Sequence, residues 1–183
     1  MLAYSGRGRF LVQPLVLSTV VEEIGHLLEA VISKKAVLKF DFVGDLPRIE
    51  GDVTQVRQVV MNLITNASEA IDDQVGSITL TTGVMEADRA FLSQAYFGDG
   101  LAEGRCAFLQ VRDTGCGMDE QVRAKLFDPF FSTKFAGRGL GLAAVLGIVQ
   151  SHHGAIQIDS QVGEGTTFQV LFPCSRPGAA DPP

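Results

Sequence analysis

Residues 113–118 read DTGCGM, directly after the apolar stretch CAFLQV of residues 106–111. A strand through the apolar run would end in one carboxylate, Asp113, followed at once by two positions without side chains, Gly115 and Gly117. Glycine costs conformational entropy on folding and is kept where backbone must bend or be approached closely. The stretch is therefore either a tight turn with an aspartate cap or one wall of a purine pocket. As a pocket its chemistry is definite. A carboxylate at a strand end accepts a hydrogen bond from the adenine amino group and discriminates against guanine, which carries a carbonyl there. Gly115 and Gly117 would let the ring lie against bare backbone.

The chain around it has 183 residues, enough for one domain with a real core, and its 46% hydrophobic content excludes a disordered protein. A net charge of −6 makes a nucleic-acid surface an unlikely default, so any phosphate must be held locally. The longest nearly apolar run, LGLAAVLGIV at residues 140–149, is interrupted by glycines and too short to span a bilayer, and no signal peptide is recognisable. No membrane insertion is expected. Cys106, Cys116 and Cys174 stand in no ligand or disulfide spacing and read as small hydrophobes in a reducing cytoplasm.

Along the chain, LSTVVEEIGHLLEAVISKK at 17–35 carries Thr19 and Glu22 in capping-box spacing, with Val20, Ile24, Leu27, Leu28 and Val31 as an apolar stripe. AVLKFDFV at 36–43 is strand-like, and GDLPRIEG at 44–51 is turn chemistry. A second helix runs from an Asp52 N-cap to about Asp72, with Val56, Val59, Val60, Leu63, Ala67 and Ile71 toward the core. Further strands are expected near 77–85 and 106–112, separated by an irregular or partly helical stretch to Gly104. A short helix at DEQVRAKLF, a Gly- and Phe-rich loop, a helix over 139–152 and a C-terminal hairpin turning at QVGEG complete the domain. Helices mixed with a C-terminal hairpin point to an α+β layer rather than a doubly wound sheet.

Two further stretches carry chemistry. On the second helix Asn62 and Asn66 are four apart and share a stripe, either as a solvated face or as a placed amide, since an amide oxygen is a suitable hard ligand for Mg²⁺. In AGRGLGLAAV, Gly137, Gly139 and Gly141 stand at a helix start, where backbone amides cradle anions, with Lys134 and Arg138 adding positive charge. Gly139, Gly141 and Ala144 also satisfy GxGxxA, with Asp159 lying 20 residues past Gly139, the dinucleotide fingerprint on paper. That fingerprint needs a strand immediately upstream, whereas LFDPFFSTKFAGR is a loop. No GxxxxGK[ST] loop occurs.

Taken in order, NLITNASEA, DTGCGM, LFDPFFSTK, GRGLGLA and GEGTTF resemble the ATP-binding catalytic domain of bacterial two-component histidine kinases, within the superfamily that includes gyrase, Hsp90 and MutL. The resemblance covers residues 15–173 and implies a Bergerat-type α+β fold, a two-layer α/β sandwich whose mixed, mainly antiparallel sheet is covered on one face by three helices. By position it implies that Asn66 ligates Mg²⁺ and that Asp113 takes the adenine amino group, with Gly115, Gly117 and Met118 around the base. Gly139, Leu140 and Gly141 would meet the phosphates of ATP, under a lid from Phe130 to Arg138, with Lys134 and Arg138 neutralising charge. Thr167 would support the adenine end. Asn62 stands where ATPases of the superfamily place a glutamate base, and an amide cannot take a proton from water, so ATP would be saved for another acceptor.

That acceptor, in the family, is a histidine on a helical hairpin in a motif like HExxNP. His26, His152 and His153 are the histidines of this chain, and none lies in such a setting. The expectation is a catalytic domain at 15–173, preceded at 1–14 by the end of a dimerisation hairpin and its linker and followed at 174–183 by a disordered tail. It would be a protein-histidine kinase fragment in the cytoplasm, partnered by its own phosphoacceptor hairpin and, downstream, by a response regulator, with no nucleic acid. A superfamily ATPase or protein-serine kinase of the anti-sigma type is the other function the motifs allow.

Overall fold

In the computed structural model, which describes residues 10–131 and 141–175, one long helix organises everything else. This helix, α2 (Val53–Ile71), starts where the sequence placed its cap: Asp52 Oδ1 accepts from the Thr54 and Gln55 amides at 2.9 and 3.2 Å. Its residues Val56, Val59, Val60, Leu63, Ile64, Ala67 and Ile71 recur at helical spacing and are all buried. It is flanked by α1 (Leu17–Leu28) and α5 (Gly141–Ser151), and the three helices lie on one face of a five-stranded sheet.

Strand order in that sheet is β2 (Ala36–Phe42), β4 (Gly76–Ala87), β5 (Gly104–Asp113), β7 (Gly165–Pro173), β6 (Ala155–Gln161). β2 runs parallel to β4 and every other pairing is antiparallel. Strand alternation does the sorting. Ile78, Leu80, Leu109, Val111, Phe168, Val170, Ile156 and Ile158 are buried against the helices, while Thr81, Gln110, Arg112, Gln157 and Gln169 alternate with them on the other side. This is the two-layer α/β sandwich, with a mainly antiparallel sheet, that the motif order implied.

Three local expectations change. α1 begins at Leu17, two residues before the expected cap, with Val16 at the N-cap and no side-chain cap bond. Leu17 is fully buried and sets the packing stripe, so Thr19 falls inside the helix and Leu27, at the margin of the stripe, is 68% exposed. Val31 lies past the helix end and is exposed. The turn-like GDLPRIEG contains β3 (Ile49–Gly51), paired with β1 (Gln13–Leu15), and these three-residue strands are too short to show a period. The expected short helix at DEQVRAKLF is α4 (Glu120–Lys125), and the stretch before β5 is partly helical as expected, holding α3 (Arg89–Gln94), which helps cover Cys106, Leu171, Ala155, Ala87 and Leu101 on the far face of the sheet. Within the same stretch, Phe97 exchanges backbone hydrogen bonds with Ile156 and so pairs part of the otherwise open edge of β6.

His152 is structural. Its Nδ1–H donates to the Ile148 carbonyl at 2.8 Å, which leaves Nε2 to accept the Asp52 amide at 3.1 Å. The ring packs edge-on against Phe10 and Phe172. Asp52 Oδ2 also accepts from the Leu11 amide at 3.0 Å, so the N-terminal segment, the start of α2 and the end of α5 are fastened at one buried point.

Candidate functional site

At one end of the sheet the apolar layer gives way to a polar row. Strand register places Asp113 opposite Thr166, and Thr166 opposite Ser160, on three adjacent strands. All three share the helix-facing side, because they continue the alternation of Val111, Phe168 and Ile158. Asp113 is 4% exposed and Thr166 is 5% exposed. Asp113 Oδ1 accepts from the Gly115 amide at 2.8 Å and the Thr166 amide at 3.3 Å, and Oδ2 takes no hydrogen bond among the described residues. Burial pushes the carboxyl above its ordinary value, against the pull of those two amides. A buried acceptor with one free oxygen is what recognition of an amino group requires.

The glycines that follow have a reason the sequence alone did not supply. A Cβ on Gly115 would lie 2.6 Å from the carbonyl of Ala70, and Cys116 donates its amide to that same carbonyl at 3.0 Å. A Cβ on Gly117, whose φ is +68°, would lie 2.0 Å from the Gln161 carbonyl. Gly163 donates to the Cys116 carbonyl at 2.7 Å. Both glycines therefore let the loop after β5 press against α2 on one side and the β6–β7 turn on the other, which is what fixes Asp113 in place. Met118 is half-buried and joins the same seam, its amide donating to Ser160 Oγ at 2.9 Å.

From this seam α2 leads to the start of α5. Asn62, Asn66 and Ala70 stand four apart and form one stripe. Ala70 touches the Gly115–Cys116 backbone, while Asn62 Nδ2 donates to the Gly141 carbonyl at 3.1 Å. Asn66 lies four residues, about 6 Å along the helix axis, from each neighbour on the stripe. The structure thus brings Asp113, Gly115, Gly117, Asn62, Asn66 and Gly141 to one side of the helix layer. Among the described residues no three His, Cys, Asp or Glu side chains gather as a metal cluster. A cation here would be completed by ligand oxygens and water around an amide, a donor set that suits Mg²⁺ better than zinc or a dedicated calcium cage.

One expected residue is displaced. Thr167 pairs with Arg112 and Asp159 and points to the opposite face of the sheet, so it does not join Asp113. Its neighbour Thr166 takes that place, and the physical reason is the period of two: in the adjacent pair Thr166–Thr167 only one can share a face with Asp113. Ser160 was not singled out by sequence reasoning at all. The sign that points to it is its register opposite Thr166 across the QVGEG turn. Phe130 is 78% exposed with φ +65°. Three residues before it, Phe127 is buried and its ring packs at a tilt against Tyr96, with centroids 4.6 Å apart. Lys134, Arg138, Gly139 and Leu140, expected at the lid and phosphate end, lie outside the described residues.

Fold and site define a class: an α/β sandwich in which a buried strand-end aspartate shares one side of the helix layer with two asparagines of α2 and with Gly141 at the start of α5. Residues 51–176 match the family described as histidine kinase-, DNA gyrase B- and HSP90-like ATPase, and the chain belongs to that family. It is similar to the sensor kinase CckA of Brucella abortus (strain 2308), 39% identical over 94% of this chain and 18% of that protein. It is also similar to the sensory histidine kinase/phosphatase NtrB of Rhizobium meliloti (strain 1021), 36% identical over 92% of this chain and 43% of that protein. The chain thus spans less than half the length of these curated relatives. Among solved structures it resembles the catalytic domain of histidine kinase ThkA in a nucleotide-free form, with TM-score 0.71 and 27% identity over 90% of this chain and 96% of that one. ThkA in complex with response regulator protein TrrA gives TM-score 0.68 and 25% identity, over 94% of this chain and 44% of that one.

Proposed function

We propose that this domain binds Mg-ATP and donates the γ-phosphoryl group to a histidine on a separate phosphoacceptor hairpin of the same kinase, for onward transfer to a response regulator. The single observation that carries the reading is the free Oδ2 of buried Asp113, set in one seam with the stripe of Asn62 and Asn66. In this account Asp113 accepts from the adenine amino group and Thr166 supports it. Asn66 supplies an amide oxygen to Mg²⁺, whose contribution is to neutralise phosphate charge. Gly141 and the residues just before it meet the phosphates through backbone amides at the start of α5.

Asn62 bears on what happens to the phosphoryl group. Its amide donates to the Gly141 carbonyl, which ties α2 to the start of α5, and it has no basic site with which to activate water. Hydrolysis is disfavoured and transfer to an external nucleophile is left. His152 does not offer that nucleophile, because both of its ring nitrogens are engaged. The ATPase or serine-kinase alternative gains no specific support here. A titration of the chain with an ATP analogue and Mg²⁺, beside radiolabel transfer from ATP with and without the kinase's own hairpin, tests the reading. Binding by this chain and label only on added hairpin are expected. Strong labelling of this chain alone, or no binding at millimolar Mg²⁺, contradicts it.

A further inference from the structure

Three polar contacts converge on the Ser160 hydroxyl: the Met118 amide at 2.9 Å, the Thr166 hydroxyl at 2.8 Å and the Gly165 carbonyl at 3.2 Å. The protons in them can be counted. A serine hydroxyl has one proton to give and two lone pairs to offer. The Met118 amide brings its own proton and takes one lone pair. The Gly165 carbonyl only accepts, so the Ser160 proton goes there. The remaining contact must then be supplied by Thr166, whose proton is donated into the second lone pair of Ser160.

We propose that Ser160 is a specificity-determining positioning residue: by taking up the Thr166 proton it leaves the Thr166 hydroxyl an acceptor only, extending the acceptor edge of Asp113 against which the base is selected. The inference rests on the nucleotide reading above and deepens it. Asp113, Thr166 and Ser160 form one register row on the helix-facing side, with Asp113 and Thr166 almost wholly buried. Water has little access there to compensate a misdirected hydroxyl. Asp113 spends Oδ1 on two backbone amides and keeps Oδ2 open. The resulting wall offers lone pairs and no proton. A purine with a 6-amino group brings protons to it, whereas a 6-oxo purine brings further lone pairs. Without Ser160 the Thr166 hydroxyl is free to turn its proton outward, and a 6-oxo group gains a donor. Ser160 does not touch the base; it sets the polarity of the residue that does.

The test is the dissociation constant of Mg-bound ATP and GTP analogues for the wild type, Ser160→Ala, Thr166→Val, the double variant and Ser160→Thr. Ser160→Ala is expected to narrow the preference for ATP over GTP by about tenfold, the scale of one neutral hydrogen bond. Thr166→Val narrows it as well, and Ser160→Ala adds nothing further in that background. Ser160→Thr, which restores a hydroxyl, restores the preference. Should Ser160→Ala fail to fold, the comparison of Thr166→Val with Ser160→Thr decides, since the preference must be reduced in the first and kept in the second. A wild type that binds ATP tightly while Ser160→Ala weakens both nucleotides equally, or neither, overturns this inference and leaves the nucleotide reading standing. A wild type that binds neither nucleotide overturns both.

Discussion

Asp52 and Asp113 are both buried aspartates, and they respond to pH in opposite senses. The Leu11 amide, with those of Gln55 and Thr54, holds the Asp52 carboxyl below its ordinary value of 3.8 despite burial. Its stabilising contribution is complete above that ordinary value and drains away as pH falls through the lowered one. For Asp113 burial dominates and the shift is upward. Its contribution is present below the ordinary value and is lost as pH rises through the raised one, so at neutral pH its charge costs stability. Asp113→Asn keeps an oxygen for the Gly115 and Thr166 amides but puts a donor where Oδ2 stood. At pH 7 it is expected to melt at the same temperature or higher while losing about 10- to 100-fold in Mg-ATP affinity, as thermal unfolding and calorimetry would show. Asp52→Ala is expected to cost about 1–3 kcal/mol in urea unfolding at pH 7, with the deficit shrinking toward pH 3. Thr82 is fully buried and its hydroxyl has no partner. Thr82→Val keeps the shape, removes the unsatisfied group and should raise stability by about 1 kcal/mol in the same assay.

Among the elements, α2 was the most legible in the sequence, because its cap and its period agree and its core residues are where that period puts them. α1 was less so: a capping-box spacing at Thr19 and Glu22 lost to the burial of Leu17, a tertiary effect that no local signal reports. β1 and β3 were invisible, since each is three residues long and is held by pairing with segments distant in sequence, β1 with β3 and Ile49 of β3 also with Cys174. The hairpin β6–β7 was readable as a hairpin, yet its register was not, and one residue of register separates Thr166 from Thr167. The motif glycines were legible as special positions, but their packing partners are set by strands and helices distant in sequence. Gly165 shows how tight that packing is: with φ +118°, a Cβ there would lie 2.0 Å from the Asp113 carbonyl. Gly165→Ala is expected to cost about 2 kcal/mol or more and to displace Asp113, so that ATP binding fails in protein that is still folded at low temperature. Wild-type affinity in that variant would show that the seam does not hold the aspartate.

For the whole molecule, the three helices and the sheet serve to bring remote segments together. β5 delivers Asp113, the β6–β7 hairpin delivers Thr166 and Ser160, and α2 runs from the seam to the start of α5. The N-terminal segment is fastened to this layer through Leu11, Asp52 and His152, at the ends of α2 and α5 opposite to the Asn66 side. In the proposed reading this domain supplies the nucleotide and the nucleophile comes from a separate hairpin. The most direct measurement of the central claim is a crystal structure of the chain with a non-hydrolysable ATP analogue and Mg²⁺. The account predicts the adenine amino group on Asp113 Oδ2, the Asn66 amide oxygen on the metal and the phosphates at the start of α5. A nucleotide bound elsewhere, or bound with its base away from Asp113, would contradict it.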